Sequence, residues 1–294
     1  MLFTELEPAS DEAMLGLVHE VSPALVPGEV LHRSATSFVV AGTIDFAPVV
    51  AKVLANGSPF WGEQFRREIE AYRIFEHNPP PVRVPRLVAA DQSRAVLVTE
   101  RLFGRPVTND RHPTSAIPSA ELAGAFTQVR RLNAWRPGLG QSWQVDYGPR
   151  IERAHRQRLL DDDDRAAVLA LAERAAGQRE FAHGDLVLNN VLKIEGGFGF
   201  VDWAAAGEYL PGFDLAQLWV LLGELHGPRL VVEDMVGDGG PDAEAPFLVN
   251  LALLLGRELR TFRHHTDRAG QARYAHLADA WADVRDRLRR AAGH

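Results

Sequence analysis

The sequence contains no cysteine, and no run of about 18 apolar residues occurs anywhere in its 294 residues. Without cysteine the protein forms no disulfides, thiolate metal sites or cysteine nucleophiles, as is typical of a reducing compartment. The start of the chain also lacks the basic flank of a secretion signal. We therefore expect a cytoplasmic protein that does not span a membrane.

An excess of basic charge is absent as well. The 32 Lys and Arg residues are outnumbered by 39 Asp and Glu, which gives a formal net charge of −7. Proteins that bind nucleic acid neutralise phosphates with clustered basic residues, and no such cluster is evident, so no nucleic-acid partner is expected. The charge balance favours a cationic small molecule as partner. It does not distinguish a monomer from a homodimer.

The spacing of apolar residues changes along the chain. Short β-branched runs between Val30 and Glu100 predict a small antiparallel sheet, interrupted by one amphipathic helix from Glu63 to His77. Beyond Gly104 the pattern is mostly helical, apart from a hairpin at residues 191–201. Helices are predicted over residues 119–135, 148–160, 164–176, 214–225, 247–265 and 273–292.

Two acidic stretches are interpreted as solvated. The four aspartates of residues 161–164 are suited to an exposed helix start, where negative charge is favoured. The Gly-rich, acidic segment 232–246 is typical of a mobile loop. Together these patterns predict an α+β fold with two lobes. A lobe of residues 1–102 carries the sheet, and a larger lobe of residues 103–294 is mostly helical.

Three oxygen-bearing side chains surround the predicted hairpin. Asp185 is followed five residues later by Asn190, and Asp202 lies at the exit of the hairpin. Mg²⁺ prefers hard oxygen ligands and retains several waters, so a carboxylate and an amide oxygen suit a site completed by nucleotide phosphates. A further aspartate that is not bound to metal is suited to orient an attacking hydroxyl and take its proton. The spacing therefore predicts phosphoryl transfer.

The same motifs resemble the aminoglycoside phosphotransferase and choline kinase branch of the protein-kinase-like fold. They are His-Gly-Asp at 183–185 with Asn190, Val-Asp-Trp at 201–203, and the segment 209–216. The resemblance implies a bilobal fold in which residues 1–102 bind the nucleotide and residues 103–294 carry the catalytic loop and the substrate site. In such a fold the γ-phosphate of ATP, or of GTP, is transferred to a hydroxyl of a small molecule with Mg²⁺ present. By position, Asp185 is the expected base, and the expected metal ligands are Asn190 and Asp202.

Two residues near the base are expected to support it. His183 could instead be a general base in a hydrolase, but no Gly-x-Ser-x-Gly nucleophile motif accompanies it. We predict that His183 braces the catalytic loop by packing and hydrogen bonding. Asp214 is expected to anchor the same loop through backbone hydrogen bonds.

The resemblance also implies a lysine that contacts the α- and β-phosphates, and Lys52 matches it. Apolar residues on both sides of Lys52 predict a buried strand, where an unpaired ammonium would be costly. Glu68, on the expected polar side of the inserted helix, is the predicted ion-pair partner. Glu63 and Glu70 are alternatives that the sequence leaves open.

Two further segments are expected to contact the nucleotide. The segment after the last strand resembles the hinge that holds an adenine edge through backbone groups. The turn at residues 31–37 contains no glycine, unlike the usual phosphate-binding turn, so hydroxyl groups are expected to contribute there with backbone N–H groups. The turn residues concerned are Ser34, Thr36 and Ser37, and the hinge residues are Thr99, Glu100 and Leu102.

The acceptor is less well defined. Acidic residues after the hairpin, among them Glu208, Glu233 and Asp234, are candidate substrate contacts that would favour a polycation such as an aminoglycoside. A solvated acidic loop explains them equally well, and macrolides, amino alcohols, sugars and other antibiotics remain open.

Two other functions are less consistent with the sequence. A nucleotide-binding module without transfer activity would usually have lost the lysine, the base or a metal ligand, and all are present. A protein kinase is disfavoured because no activation segment ending in Ala-Pro-Glu follows Asp202.

Overall fold

The computed structural model describes residues 10–293. Within it the chain divides into two compact units. The first contains the residues up to Arg105 together with Ile194–Ala206, and the second contains Pro106–Lys193 and the residues from Gly207 onward. The assignment of residues 1–102 and 103–294 to nucleotide binding and substrate binding stays a prediction.

The first unit is built on a five-stranded antiparallel sheet in the order β1-β2-β3-β5-β4. Its elements are α1 (Asp11–Val21), β1 (Val26–Arg33), β2 (Ser37–Ile44), β3 (Ala47–Leu54), α2 (Pro59–His77), β4 (Leu87–Asp91) and β5 (Val96–Glu100). Strand β3 is central, and Val49, Ala51 and Val53 alternate with less buried residues along it. These three residues face Met14 and Val18 of α1 in the core of the unit. Helix α1, which the sequence analysis did not predict, therefore covers one face of the sheet.

Helix α2 begins and ends where its sequence dictates. The Ser58 hydroxyl accepts from the Trp61 N–H at 3.5 Å, and Pro59 occupies the first helical position, where its missing N–H has no cost. The helix ends at His77, before three consecutive prolines. The predicted range 63–77 is thus extended by one turn at its start.

The second unit is mostly helical. Its elements are α3 (Ser119–Ala134), α4 (Tyr147–Arg156), α5 (Asp162–Arg174), β7 (Glu180–Ala182), β10 (Gly207–Tyr209), α6 (Phe213–Leu221), α7 (His226–Gly237), α8 (Pro241–Phe262) and α9 (Arg268–Ala292). Three short strands lie where the chain passes from one unit to the other: β6 (Gly104–Pro106), β8 (Val191–Ile194) and β9 (Gly197–Phe200). Helices α5, α8 and α9 pack on one another and bury Leu171, Leu255 and Val284.

Both acidic stretches differ from the prediction. Segment 232–246 is wrong as a loop, because α7 and α8 occupy all of it except residues 238–240. Its acidic residues are not simply solvated, since Glu233 and Glu244 both pair with Arg287 of α9. The aspartates 161–164 do begin α5, but Asp164 is fully buried between two arginines of α9.

In the region from residue 10 to residue 293, none of the helices combines the length and the apolar character of a membrane span.

Candidate functional site

In the first unit, Lys52 links two carboxylates. Its Nζ lies 2.7 Å from Oε2 of Glu68 and 3.0 Å from Oδ1 of Asp202. The Glu68 side chain is 3% exposed, whereas that of Asp202 is 46% exposed. The ammonium therefore joins a buried carboxylate to one that solvent reaches.

The local structure explains this geometry. Alternation along β3 directs Lys52 away from the face that carries Val49 and Ala51. Glu68 lies on the buried face of α2, between Phe65 and Tyr72 at helical spacing. The expectation that Glu68 occupies the polar side of this helix is wrong, because burial is favourable once the carboxylate has a cation as partner.

Of the three candidate glutamates, Glu68 is the one that pairs with Lys52. Glu63 instead pairs with Arg66 at 2.6 Å, and Glu70 is exposed. Burial by itself would lower the pKa of Lys52, but the charges and hydrogen bonds of the two carboxylates outweigh burial and raise it above its ordinary value. Lys52 is therefore charged at neutral pH.

Asp202 has an uncommon backbone conformation. Its φ of 66° lies in the left-handed region, which aspartate tolerates better than most residues. The next residue, Trp203, is fully buried, packs edge to face on Phe75 with ring centroids 4.8 Å apart, and donates from Nε1 to the Phe200 carbonyl at 3.3 Å. Trp203 and Lys52 together hold the Asp202 carboxylate in place.

In the second unit, Asp214 fixes the backbone before Asp185. Its buried carboxylate accepts from the N–H groups of His183 at 2.8 Å and Gly184 at 3.0 Å, and from Asn133 Nδ2 at 3.1 Å. Burial raises the pKa of Asp214, although His183 and these hydrogen bonds act in the opposite direction. Gly184 has a φ of 80°, which explains why glycine precedes Asp185.

Asp185 is positioned by Gln217, a residue that the sequence analysis missed. Gln217 is buried; its Nε2 donates to Asp185 Oδ1 at 3.0 Å, and its Oε1 accepts from the Leu186 N–H at 3.2 Å. Its position three residues after Asp214, on the same helix face, was the available signal. The Asp185 side chain is 40% exposed. Asn190 Nδ2 donates to the Asp185 carbonyl at 3.1 Å, which directs the amide oxygen of Asn190 elsewhere.

A second missed group surrounds Glu258 of α8. Arg111 Nη2 donates to Glu258 Oε1 at 3.0 Å, and His112 Nε2 lies 2.9 Å from Oε2. Burial acts to raise the pKa of Glu258, but the hydrogen bond with His112 and the charges of Arg111 and Arg257 lower it to about 2. Arg111 also approaches Asp185, with 3.7 Å between Nη1 and Oδ1.

The turn between β1 and β2 is closed by its own hydroxyl groups. Ser34 Oγ accepts from the N–H groups of Thr36 at 3.2 Å and Ser37 at 3.1 Å. The hydroxyls of Thr36 and Ser37 lie 3.1 and 3.4 Å from the same oxygen. The donors expected to contact phosphate are thus engaged with Ser34, and their role toward a nucleotide stays a prediction.

The hinge-like segment is held by strand neighbours. The Glu100 N–H donates to the Arg86 carbonyl at 2.8 Å, and the Glu100 carboxylate pairs with Arg83 and Arg86. Thr99 is buried in β5. Leu102 approaches Gly199 so closely that a Cβ on Gly199 would lie 2.7 Å from Leu102 Cδ1. Contact between these residues and an adenine stays a prediction.

The candidate substrate acids lie on two elements, α7 and β10. Glu233 accepts from Trp219 Nε1 at 3.0 Å and pairs with Arg287 at 3.4 Å. Asp234 is exposed on α7, and Glu208 is half-buried in β10. Their role as substrate contacts stays a prediction.

Comparison with known proteins gives a consistent result. A family model described as "Phosphotransferase enzyme family" matches residues 51–247. No curated protein sequence matches the chain.

Three solved structures illustrate the likeness of fold. A choline/ethanolamine kinase family protein from Mesorhizobium loti has a TM-score of 0.64 at 17% identity, over 95% of this chain and 98% of that one. APH(2")-IIia, in complex with GDP and kanamycin, has a TM-score of 0.61 at 13% identity, and the match covers 94% of this chain and 99% of that one. A thermostable mutant of aminoglycoside phosphotransferase APH(4)-Ia, in complex with ADP and hygromycin B, has a TM-score of 0.57 at 16% identity. The match covers 96% of this chain and 99% of that one. These matches confirm the predicted resemblance and the α+β, protein-kinase-like fold.

Proposed function

Because the chain belongs to the phosphotransferase enzyme family, we propose that it transfers the γ-phosphate of ATP to a hydroxyl of a small molecule, with Mg²⁺ as cofactor. The observation that carries this proposal is the bridge from Glu68 through Lys52 to Asp202. A charged lysine held beside a half-exposed carboxylate is what a nucleotide phosphate and its metal ion require.

On the nucleotide side, Lys52 contacts the α- and β-phosphates while Glu68 keeps its ammonium in position. Ser34, Thr36 and Ser37 rearrange to contact phosphate. The hinge residues Thr99, Glu100 and Leu102 line the adenine site. GTP is an alternative donor, and competition between the two nucleotides decides between them.

Asn190 and Asp202 are the proposed Mg²⁺ ligands. The donor chemistry fits, because a carboxylate and an amide oxygen are hard ligands and phosphate and water complete the coordination shell. Lys52 engages Asp202 through Oδ1 and keeps this carboxylate in place. When bound, Mg²⁺ neutralises charge on the phosphates.

On the acceptor side, Asp185 is the proposed base. The acceptor oxygen attacks the γ-phosphorus, the bond between that phosphorus and the β–γ bridging oxygen breaks, and ADP leaves. The proton of the hydroxyl passes to the Asp185 carboxylate. Gln217 orients that carboxylate, and Asp214 with His183 fixes the backbone that carries it.

The test replaces Asp185 by Asn, which preserves shape and removes the base. ADP release is measured with aminoglycosides, macrolides, amino alcohols, sugars and hydroxy acids, and nucleotide affinity by calorimetry with and without Mg²⁺. We expect turnover to fall by about 10²- to 10⁴-fold with nucleotide affinity nearly unchanged. Asp163→Asn, at an exposed position on α5, is the matched control. Wild-type turnover in Asp185→Asn would reject the assignment, and nucleotide binding without ADP release for any acceptor would favour an inactive binding module.

A further inference from the structure

Arg111 is the cation that lies beside the proposed base. Its Nη1 is 3.7 Å from Asp185 Oδ1, which is too long for a hydrogen bond. Asp185 Oδ1 is hydrogen-bonded by Gln217 instead. The Arg111 side chain is 41% exposed. Part of the Arg111 side chain is therefore accessible next to the carboxylate that takes the proton of the acceptor hydroxyl.

The Arg111 guanidinium is hydrogen-bonded to a buried carboxylate. Glu258, only 3% exposed, accepts from Arg111 Nη2 through Oε1, while its Oε2 is bound by His112. The His112 carbonyl in turn accepts from Arg273 Nη2 at 3.2 Å. An unpaired carboxylate is costly in a buried position, so the contacts of Glu258 with Arg111 and His112 are favoured. Arg111 is thereby pre-oriented before any ligand binds.

Two arginines share the buried carboxylate of Glu258, because Arg257 Nε also donates to Glu258 Oε1, at 3.2 Å. The second carboxylate beside them is Asp185, which pairs with Arg111 at 3.7 Å. Its negative charge is lost when it takes the proton of the acceptor hydroxyl. Two arginines then face one remaining carboxylate, so Arg111 attracts an anionic group of the acceptor and repels a cationic one.

Several of the acidic residues that would favour a cationic acceptor are already paired with arginines. Four of the acidic residues in the segment that follows the hairpin make such ion pairs: Glu224 with Arg273 at 2.9 Å, Glu233 with Arg287 at 3.4 Å, Glu244 with Arg287 at 3.8 Å, and Asp238 with Arg130 at 3.8 Å. Three arginines therefore compensate part of the charge of these four residues. This pairing weakens the attraction that the segment offers to a polycation.

From these contacts we propose that Arg111 binds an anionic group of the acceptor, so that the substrate is a hydroxylated carboxylate or phosphate ester. The proposal rests on the proposed function and names its substrate class. Arg111 acts as a specificity residue, which places the acceptor with its hydroxyl toward Asp185. The other anion that could occupy this position is the phosphoryl group in transfer, and the experiment separates the two.

The experiment measures ADP release with matched acceptors: hydroxy acids against their amides, sugar phosphates against free sugars, and an aminoglycoside. Wild type, Arg111→Gln and Arg111→Lys are compared, with Arg153→Gln at an exposed position of α4 as control. We expect turnover with an anionic acceptor, a KM for that acceptor at least 10-fold higher in Arg111→Gln, and a kcat within about 3-fold of wild type. Arg111→Lys should recover part of the affinity. Nucleotide affinity should be unchanged in all variants and reports intact folding.

Several results would overturn the inference. One is a preference for the aminoglycoside or for uncharged acceptors. Another is an equal loss of kcat in Arg111→Gln for charged and uncharged acceptors, which would place the phosphoryl group in transfer at Arg111. Either result leaves the proposed phosphotransferase function intact. Absence of nucleotide binding in the wild type would reject that function itself.

Discussion

The two units contain the same arrangement of charges built from different residues. In each, a helix contributes a buried glutamate that holds a cation, and the cation faces a half-exposed aspartate. In the first unit the series is Glu68, Lys52 and Asp202; in the second it is Glu258, Arg111 and Asp185. Both glutamates are 3% exposed, and the two aspartates are 46% and 40% exposed.

The two series differ in the distance between the cation and the aspartate. Lys52 is 3.0 Å from Asp202 and hydrogen-bonded to it, whereas Arg111 is 3.7 Å from Asp185 and is not. A lysine on a central strand has little freedom to leave its partners. An arginine on a loop, held by one edge, keeps donors for a ligand. The first series is thus suited to fix a carboxylate in place, and the second to leave a base and a cation available together.

The largest effect is expected when the tighter series is broken. Lys52→Met leaves Glu68 buried without its cation, and we expect a loss of about 3–5 kcal/mol in the free energy of unfolding. Lys52→Met combined with Glu68→Leu should recover much of this stability, because the buried charge is removed, but should not recover nucleotide affinity. Urea unfolding and calorimetry measure the two quantities separately. An unchanged urea midpoint in Lys52→Met would show that the ion pair is not formed in solution.

A smaller effect is expected from breaking the second series. Glu258→Gln removes the charge but keeps an oxygen for Arg111 and His112, so we expect a loss of about 1–3 kcal/mol. Glu244→Gln, on the same helix but exposed, should change stability by no more than about 0.5 kcal/mol. The folded-state pKa of Glu258 is depressed, so its stabilising contribution is complete above its ordinary pKa and is lost as pH falls toward about 2. Equal urea midpoints for the two variants at pH 7 would contradict this difference.

The sequence predicts best what depends on neighbours in the chain. The spacing of Asp185, Asn190 and Asp202, and the regular apolar positions of α2 and α9, are visible because each pattern is local. Alternation around Lys52 likewise identifies a buried strand. The family resemblance then adds expected roles that no short pattern could supply.

Contacts distant in sequence explain what the prediction missed. Glu258 is 147 residues from Arg111, and Asp164 is buried by Arg285 and Arg289, which follow it by 121 and 125 residues. An acidic residue with such a partner cannot be distinguished in sequence from one that faces water. For this reason the sequence favours a loop at residues 232–246 and the polar helix face for Glu68, whereas the structure has two helices in that segment and a buried Glu68.

The smallest effect concerns a glutamate of the second unit with the opposite shift. Burial and the negative charge of Asp214 raise the pKa of Glu180 to about 8, although the Gly212 N–H, which donates to it at 3.1 Å, and Arg136 act to lower it. A carboxyl group whose folded-state pKa is raised binds more protons when folded than when unfolded. Its contribution to stability is therefore present at low pH and declines as pH rises from its ordinary pKa toward about 8.

Glu180→Gln should remove this decline. Since Glu180 is only half-buried, solvent screening reduces the effect, and we expect wild type to lose about 1 kcal/mol more than the variant between pH 5 and pH 8. Urea unfolding at several pH values measures the difference, with Glu258→Gln as the counterpart whose effect should vary little across that range. If wild type and Glu180→Gln had parallel pH profiles, Glu180 would be ionised at neutral pH. In that case, the presence of a contacting cation, such as Arg111 beside Glu258, would not decide the direction of a glutamate's pKa shift in this protein.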